Sequence, residues 1–110
     1  MTYREQAIAL LRERNSRARY VSEEFASGPA WAMLLDLYHR GTDTVSNVCL
    51  GSGAPYTTAL RHLHDMQDAG VVVRSPHETD GRVFTLSLSD EARDSIRQYL
   101  AAIVEARIAA

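Results

Sequence analysis

Apolar residues recur along this chain with two different periods, and the change of period marks out its architecture. Tyr3, Ala7, Leu10, Leu11, Ala18 and Val21 fall near one face of a helix over residues 3–24, with arginines mostly on its other faces. Ser27-Gly28-Pro29 interrupts that pattern and starts another helix, because proline at the first helical position loses no intrahelical bond. Trp31, Leu34, Leu35 and Tyr38 then repeat at i, i+3, i+4, i+7 as one core-facing stripe, and Gly41 ends it. Thr44 or Ser46 suits the cap of a short helix that buries Val48 and Cys49 or Leu50 and stops at Gly51. Pro55 opens a further helix to about Ala69, with Ala59, Leu63 and Met66 inward, Leu60 alongside, and Gly70 as its stop.

Beyond Gly70 the period becomes two. Val71-Val72-Val73 predicts a buried strand, and Phe84, Leu86 and Leu88 alternate with Thr85 and Ser87 as a half-buried partner. The charged stretch from His77 to Arg82 lies between them, with Asp80-Gly81 as its turn chemistry. Ser89 or Asp90 caps a last helix, and Glu91 in its first turn suits the helix dipole. Its stripe of Ala92, Ile96, Tyr99, Leu100, Ile103 and Val104 extends almost to Ala110.

Short helix, glycine-containing turn, second helix and β-hairpin predict an α+β, mainly α fold: a winged helix-turn-helix with extra N- and C-terminal helices. The expected division is residues 1–25 as an N-terminal dimerisation helix, 26–89 as the DNA-binding winged unit and 90–110 as a C-terminal dimerisation helix. Both terminal helices carry more apolar surface than a small winged core covers, and a symmetric homodimer is the simplest shared sink. For the first helix, packing on its own domain remains an equal alternative.

At 110 residues the chain fits one domain that folds without metal or disulfide. Its net charge of −2 is unevenly spread. Residues 1–20 hold Arg4, Arg12, Arg14, Arg17 and Arg19 against Glu5 and Glu13, three positive charges in excess, so the remainder is negative by five. Local potential, not the total, sets attraction to phosphate. No apolar run approaches a membrane span and the first residues open no signal peptide, so a soluble, cytoplasmic protein is expected. An enzyme is not expected, nor a cofactor. His62 and His64 are two apart and diverge on a helix, no zinc spacing occurs, and Gly51-Ser52-Gly53 follows a helix where a phosphate loop follows a strand. The single Cys49 lies in an apolar helix, as a small core residue does.

The outward side of the helix from Pro55 carries Tyr56, Thr57, Thr58, Arg61, His62 and Asp65. Threonine hydroxyls reach phosphates or base edges, and an arginine can grip guanine O6 and N7 together. The competing reading is a solvent face on which Arg61 pairs with Asp65 at i, i+4. Arg82, just beyond the hairpin turn, is the second candidate DNA contact.

From about Pro29 to Leu100 the chain resembles the MarR family of winged-helix regulators. Four features carry the likeness: the helix end from Leu63 through Gly70-Val71-Val72, the basic Arg74, the wing element Asp80-Gly81-Arg82, and the step Leu86-Ser87-Leu88-Ser89-Asp90-Glu91-Ala92. The resemblance implies double-stranded DNA as partner, a recognition helix with Thr57, Thr58 and Arg61 at its contacting positions, and a wing arginine, Arg82, oriented toward the minor groove by Asp80. Ala92 departs from a frequent glycine, and Gly81 from a frequent second wing arginine. The family leaves room for a small-molecule effector, which no residue here supports. The rival to a regulator is a winged helix used only for protein contact.

Overall fold

Helix-starting and helix-stopping residues set most of the boundaries in the computed structural model, which describes residues 1–109. Helix α1 (Tyr3–Ser16) is followed by two 3-10 turns, Arg17–Arg19 and Glu23–Phe25. Then come α2 (Gly28–Arg40), β1 (Thr42–Thr44), α3 (Val45–Gly51), α4 (Tyr56–Asp68), β2 (Val72–Pro76), β3 (Phe84–Leu88) and α5 (Asp90–Ala109). The three strands form one antiparallel sheet in the order β1-β3-β2. This is a winged helix-turn-helix flanked by terminal helices.

The single helix expected over residues 3–24 is broken after Ser16. The chain has to reverse there to bring Phe25 into the core, where it is fully buried. Arg17 fastens the reversal: Nε and Nη2 donate to Glu13 and Nη1 to the Ala26 carbonyl. None of the residues of α1 is buried.

In α2 the buried face is Ala30, Met33, Leu34 and Leu37 with Trp31, one step round from the expected stripe. Leu35 and Tyr38 lie half-buried at its edge. Thr44 caps α3 by accepting the Asn47 N–H, so Val48 and Cys49 face inward and Leu50 is exposed. Ser52 closes the turn to α4: its Oγ donates to the Cys49 carbonyl and accepts from the Ala54 N–H, and Gly53 follows at φ 77°. Helix α4 buries Ala59, Leu63 and Met66. Its end is a Schellman turn, with Val71 N–H on the Met66 carbonyl, Gly70 N–H on the Gln67 carbonyl, and Gly70 at φ 73° where a side chain is disfavoured.

The strand expected to be buried throughout, Val71 to Val73, buries only Val72. The sheet is covered on one face, so alternation sends Val73 outward. Register places Val72 opposite Leu88, Arg74 opposite Leu86 and Pro76 opposite Phe84. The inner face therefore runs Val72, Leu88, Leu86 and then leaves the core: Leu86 is 1 % exposed, Phe84 36 %. Ser89 Oγ accepts the Ala92 N–H and caps α5. Ile96 and Tyr99 of α5 join the core, whereas Val104 and Ile108 stand exposed on its distal half. A helix of this length projects about 30 Å, and the molecule is correspondingly elongated, 51 × 27 × 21 Å. The expected approach of α5 to Ala110 ends outside the described residues.

Candidate nucleic-acid interface

Helix α4 presents its N-terminal turn bare. Pro55 occupies the cap position without a side-chain cap, and the first intrahelical bond runs from the Ala59 N–H to the Pro55 carbonyl. The N–H groups of Tyr56, Thr57 and Thr58 therefore have no helical acceptor. Tyr56 and Thr57 are exposed, Thr58 and His62 half-buried, and Arg61 exposed one turn further on. A helix tip with unspent N–H groups and three hydroxyl side chains favours anionic oxygen. Asp65 is exposed too, but no ion pair joins it to Arg61 among the described residues. The solvent-face pairing weighed from the sequence is not formed.

A polar knot ties the end of α2 to the start of α3. Asp43 Oδ1 accepts from the Thr44 N–H and from Asn47 Nδ2, and Arg40 lies between Asp36 and Asp43. β1 brings Asp43 there by pairing Thr42–Thr44 with Thr85–Ser87 of β3. β1 thus adds a hydrogen-bonded link between the start of α3 and the wing strand β3.

The wing turn is held by its own polar atoms. His77 N–H donates to the Val83 carbonyl, Val83 N–H to the Asp80 carbonyl, and His77 Nδ1 accepts the N–H groups of Thr79 and Asp80. Asp80 Oδ1 accepts both the backbone N–H and Nε of Arg82, at 3.1 and 3.2 Å. Those bonds from Arg82 hold the Asp80 carboxyl below its ordinary range. The Arg82 side chain is nonetheless 92 % exposed. Arg74 sits on β2 with its guanidinium carbon 4.0 Å from the centre of the Phe84 ring. Phe84, expected to be a half-buried strand residue, is the member of this surface that alternation alone did not single out.

Charge on the surface is sparse. From Val45 to Ser89 the chain has three arginines, Arg61, Arg74 and Arg82, against Asp65, Asp68, Glu78 and Asp80. Attraction to a polyanion here depends on where those few cations point.

No family model matches the chain, and no curated protein matches it in sequence. Solved structures do match over nearly its whole length. Protein RV1404 of Mycobacterium tuberculosis is 22 % identical, with a TM-score of 0.73 over 99 % of this chain and 80 % of that one. A MarR family transcriptional regulator from Silicibacter pomeroyi DSS is 19 % identical, with a TM-score of 0.69 over 96 % and 70 %. The S. aureus MepR–DNA complex contains a chain 13 % identical to this one, with a TM-score of 0.75 over 96 % and 84 %. The fold is that of the MarR family regulators. At these identities the shared property is the backbone, and the side chains of this surface have to be argued from their own geometry. Among the described residues no helix is long and apolar enough to cross a membrane, and no group of three His, Cys, Asp or Glu side chains is placed to hold a metal ion.

Proposed function

We propose that this chain is a sequence-specific double-stranded DNA-binding protein, a non-enzymatic transcriptional regulator of MarR-like type. The observation that carries the reading is the pairing of a bare α4 tip, where Arg61 near Thr57 and Thr58 has no ion pair among the described residues, with a wing that projects Arg82 outward. In this reading α4 enters the major groove, Tyr56, Thr57, Thr58 and His62 contact backbone or base edges, and Arg61 reads a base. Arg82, steadied by Asp80, follows the adjacent backbone into the minor groove, and Arg74 contacts a phosphate. The MarR-type fold and the DNA-bound form of MepR favour it.

The active form is a homodimer. Helix α1 buries nothing, Tyr3 is 97 % exposed, and the distal turns of α5 expose Val104 and Ile108. Between α1 and α5 runs an open trough of about 490 Å³ with Ala9, Leu10, Ile103 and Ala106 among its walls. A second copy seated there covers surface that this protomer leaves open, and two-fold symmetry matches a pseudo-palindromic site with half-sites about one helical turn apart. Residues 1–25 and the end of α5 then serve as dimerisation arms around the winged unit. A small-molecule effector is not required by any residue of the trough.

A specific observation keeps the second reading, a winged module for protein contact: the three arginines of the helix-turn-helix and wing are outnumbered by four carboxylates. Titration of mixed and selected duplexes at several salt concentrations separates the two. A regulator loses affinity linearly in log salt, with a slope of about −0.9 per phosphate neutralised. Arg82→Ala weakens every duplex and flattens that slope, whereas Arg61→Ala relaxes preference at one base position by about tenfold. Absence of duplex binding at low salt leaves only the protein-contact module.

A further inference from the structure

The inner face of the wing ribbon outlasts the core it was built to cover. Val72, Leu88 and Leu86 lie against the helices, and the next residue outward on that face, Phe84, has no helix over it. Arg74 lies directly across from Leu86, which makes Phe84 its diagonal neighbour, a spacing that long side chains bridge. The bridge is made: the Arg74 guanidinium covers the ring at 4.0 Å.

We propose that Phe84 is a positioning residue for DNA binding, a neutral platform that holds Arg74 ready for a phosphate without spending its charge. The proposal rests on the DNA-binding reading above and assigns a role within it. The two wing arginines are held in opposite ways. Arg82 is steadied by the Asp80 carboxylate, so much of its charge is balanced locally before any DNA arrives. Arg17, Arg40 and Arg97 are likewise in ion pairs. Arg74 has no carboxylate within ion-pair distance among the described residues. A ring restrains the guanidinium through its electron-rich face and accepts none of its N–H bonds in the plane, so the donors and the full positive charge stay available. The restraint reduces the rotamer freedom that a long cation otherwise loses when it docks. In a surface with three cations, a pre-aimed and unneutralised one matters more than in a surface rich in lysine.

The test is a double-mutant cycle on the full chain, with duplex affinity measured from low to moderate salt for wild type, Phe84→Leu, Phe84→Tyr, Arg74→Ala and Phe84→Leu/Arg74→Ala. Circular dichroism and thermal unfolding of each variant verify the fold. Arg74→Ala is expected to flatten the salt slope by about 0.9 per protomer. Phe84→Leu keeps apolar cover but loses the ring, and is expected to weaken binding about two- to fivefold per protomer. Phe84→Tyr restores wild-type affinity, and Phe84→Leu adds nothing once Arg74 is gone. Full additivity in the double variant, or wild-type affinity in Phe84→Leu, overturns the platform while leaving the DNA-binding reading intact. An unchanged salt slope in Arg74→Ala overturns it too, since the aimed cation then meets no phosphate. If Phe84→Leu unfolds, Phe84→Trp replaces it in the cycle, and a loss of affinity there despite the retained ring counts against the proposal. Failure of the wild type to bind any duplex at low salt sinks the underlying reading, and with it this assignment.

Discussion

Helices α1 and α4 are nearly the same length, 14 and 13 residues, and make opposite use of it. α1 has the better local start. Its Thr2 and Glu5 form a reciprocal capping box, Thr2 Oγ1 accepting the Glu5 N–H and Glu5 accepting the Thr2 N–H. α4 begins at a proline with no side-chain cap, yet buries Ala59, Leu63 and Met66 completely, while α1 buries nothing. An isolated helix shorter than about 12–15 residues is marginal in water even with good caps. α1 is therefore anchored by what holds its end. Tyr99 O–H donates to Glu13, Glu13 is gripped by Arg17, and the Arg17 guanidinium lies 4.8 Å from the Trp31 ring. Tyr99 in turn packs edge-on against both Tyr20 and Trp31. One helix is held by apolar area, the other by a single polar clamp, and the two respond to different perturbations.

The largest expected effect is at the buried end of that contrast. Leu63→Ala should lower the stability of the whole domain by about 2–5 kcal/mol in urea unfolding, the usual cost of a cavity in a filled core. A loss below about 1 kcal/mol would mean that α4 is not anchored by burial. Next comes the clamp. Glu13→Gln removes the charge that holds Arg17 and should cost about 1–3 kcal/mol, with protease cleavage appearing first between α1 and α2. Uniform loss of protection across the chain would show instead that α1 is no separate unit.

The clamp also has a pH signature on each side. Hydrogen bonds from Arg17, and secondarily from Tyr99, hold the Glu13 carboxyl below its ordinary value of 4.5. A depressed folded-state pKa contributes stability above the unfolded value and loses it as pH falls through the folded one. Stability should thus decline below about pH 4.5, and Glu13→Gln should flatten that limb. Burial, and then the bond to Glu13, push the Tyr99 hydroxyl up to about 12 from an ordinary 10. A proton held more tightly in the folded state means stability falls as pH rises from 10 toward 12, a limb that Tyr99→Phe abolishes. The smallest effect belongs to the exposed face of α1: Leu10→Ala, at 58 % exposure, should change the unfolding free energy of dilute protein by no more than about 0.5 kcal/mol. A cost of 2 kcal/mol or more that grows with protein concentration would show that a second copy covers this helix.

Signals confined to a few neighbouring residues were readable in advance. Gly41 and Gly70 end their helices, and Thr44 and Ser89, each one of two expected candidates, cap theirs, because each acts on N–H or carbonyl groups within four residues of itself; α3 does end at Gly51, but Ser52 and Gly53 make that turn. The bond between Asp80 and Arg82 was expected from the family resemblance and not from a local pattern. β1 was not readable: Thr42-Asp43-Thr44 has no apolar alternation, and is a strand only because β3 presents an edge for it to pair with. Nor was the break after Ser16, since the six apolar residues of the expected helix over 3–24 continue past it. Arg74 was legible as a cation but its partner was not, because Phe84 looks like any alternating strand residue until the core is seen to end at Leu86.

By itself the sequence determined the order and kind of most elements and the residues that cap, stop and turn them, since those choices are made by steric and hydrogen-bonding forces that act over a few residues. Which face of α2 is inward, where α1 gives way so that Phe25 reaches the core, and that Arg74 stands on the Phe84 ring were decided only by tertiary structure. Those outcomes depend on surfaces brought together from distant parts of the chain, and no local pattern records how far a shared core extends.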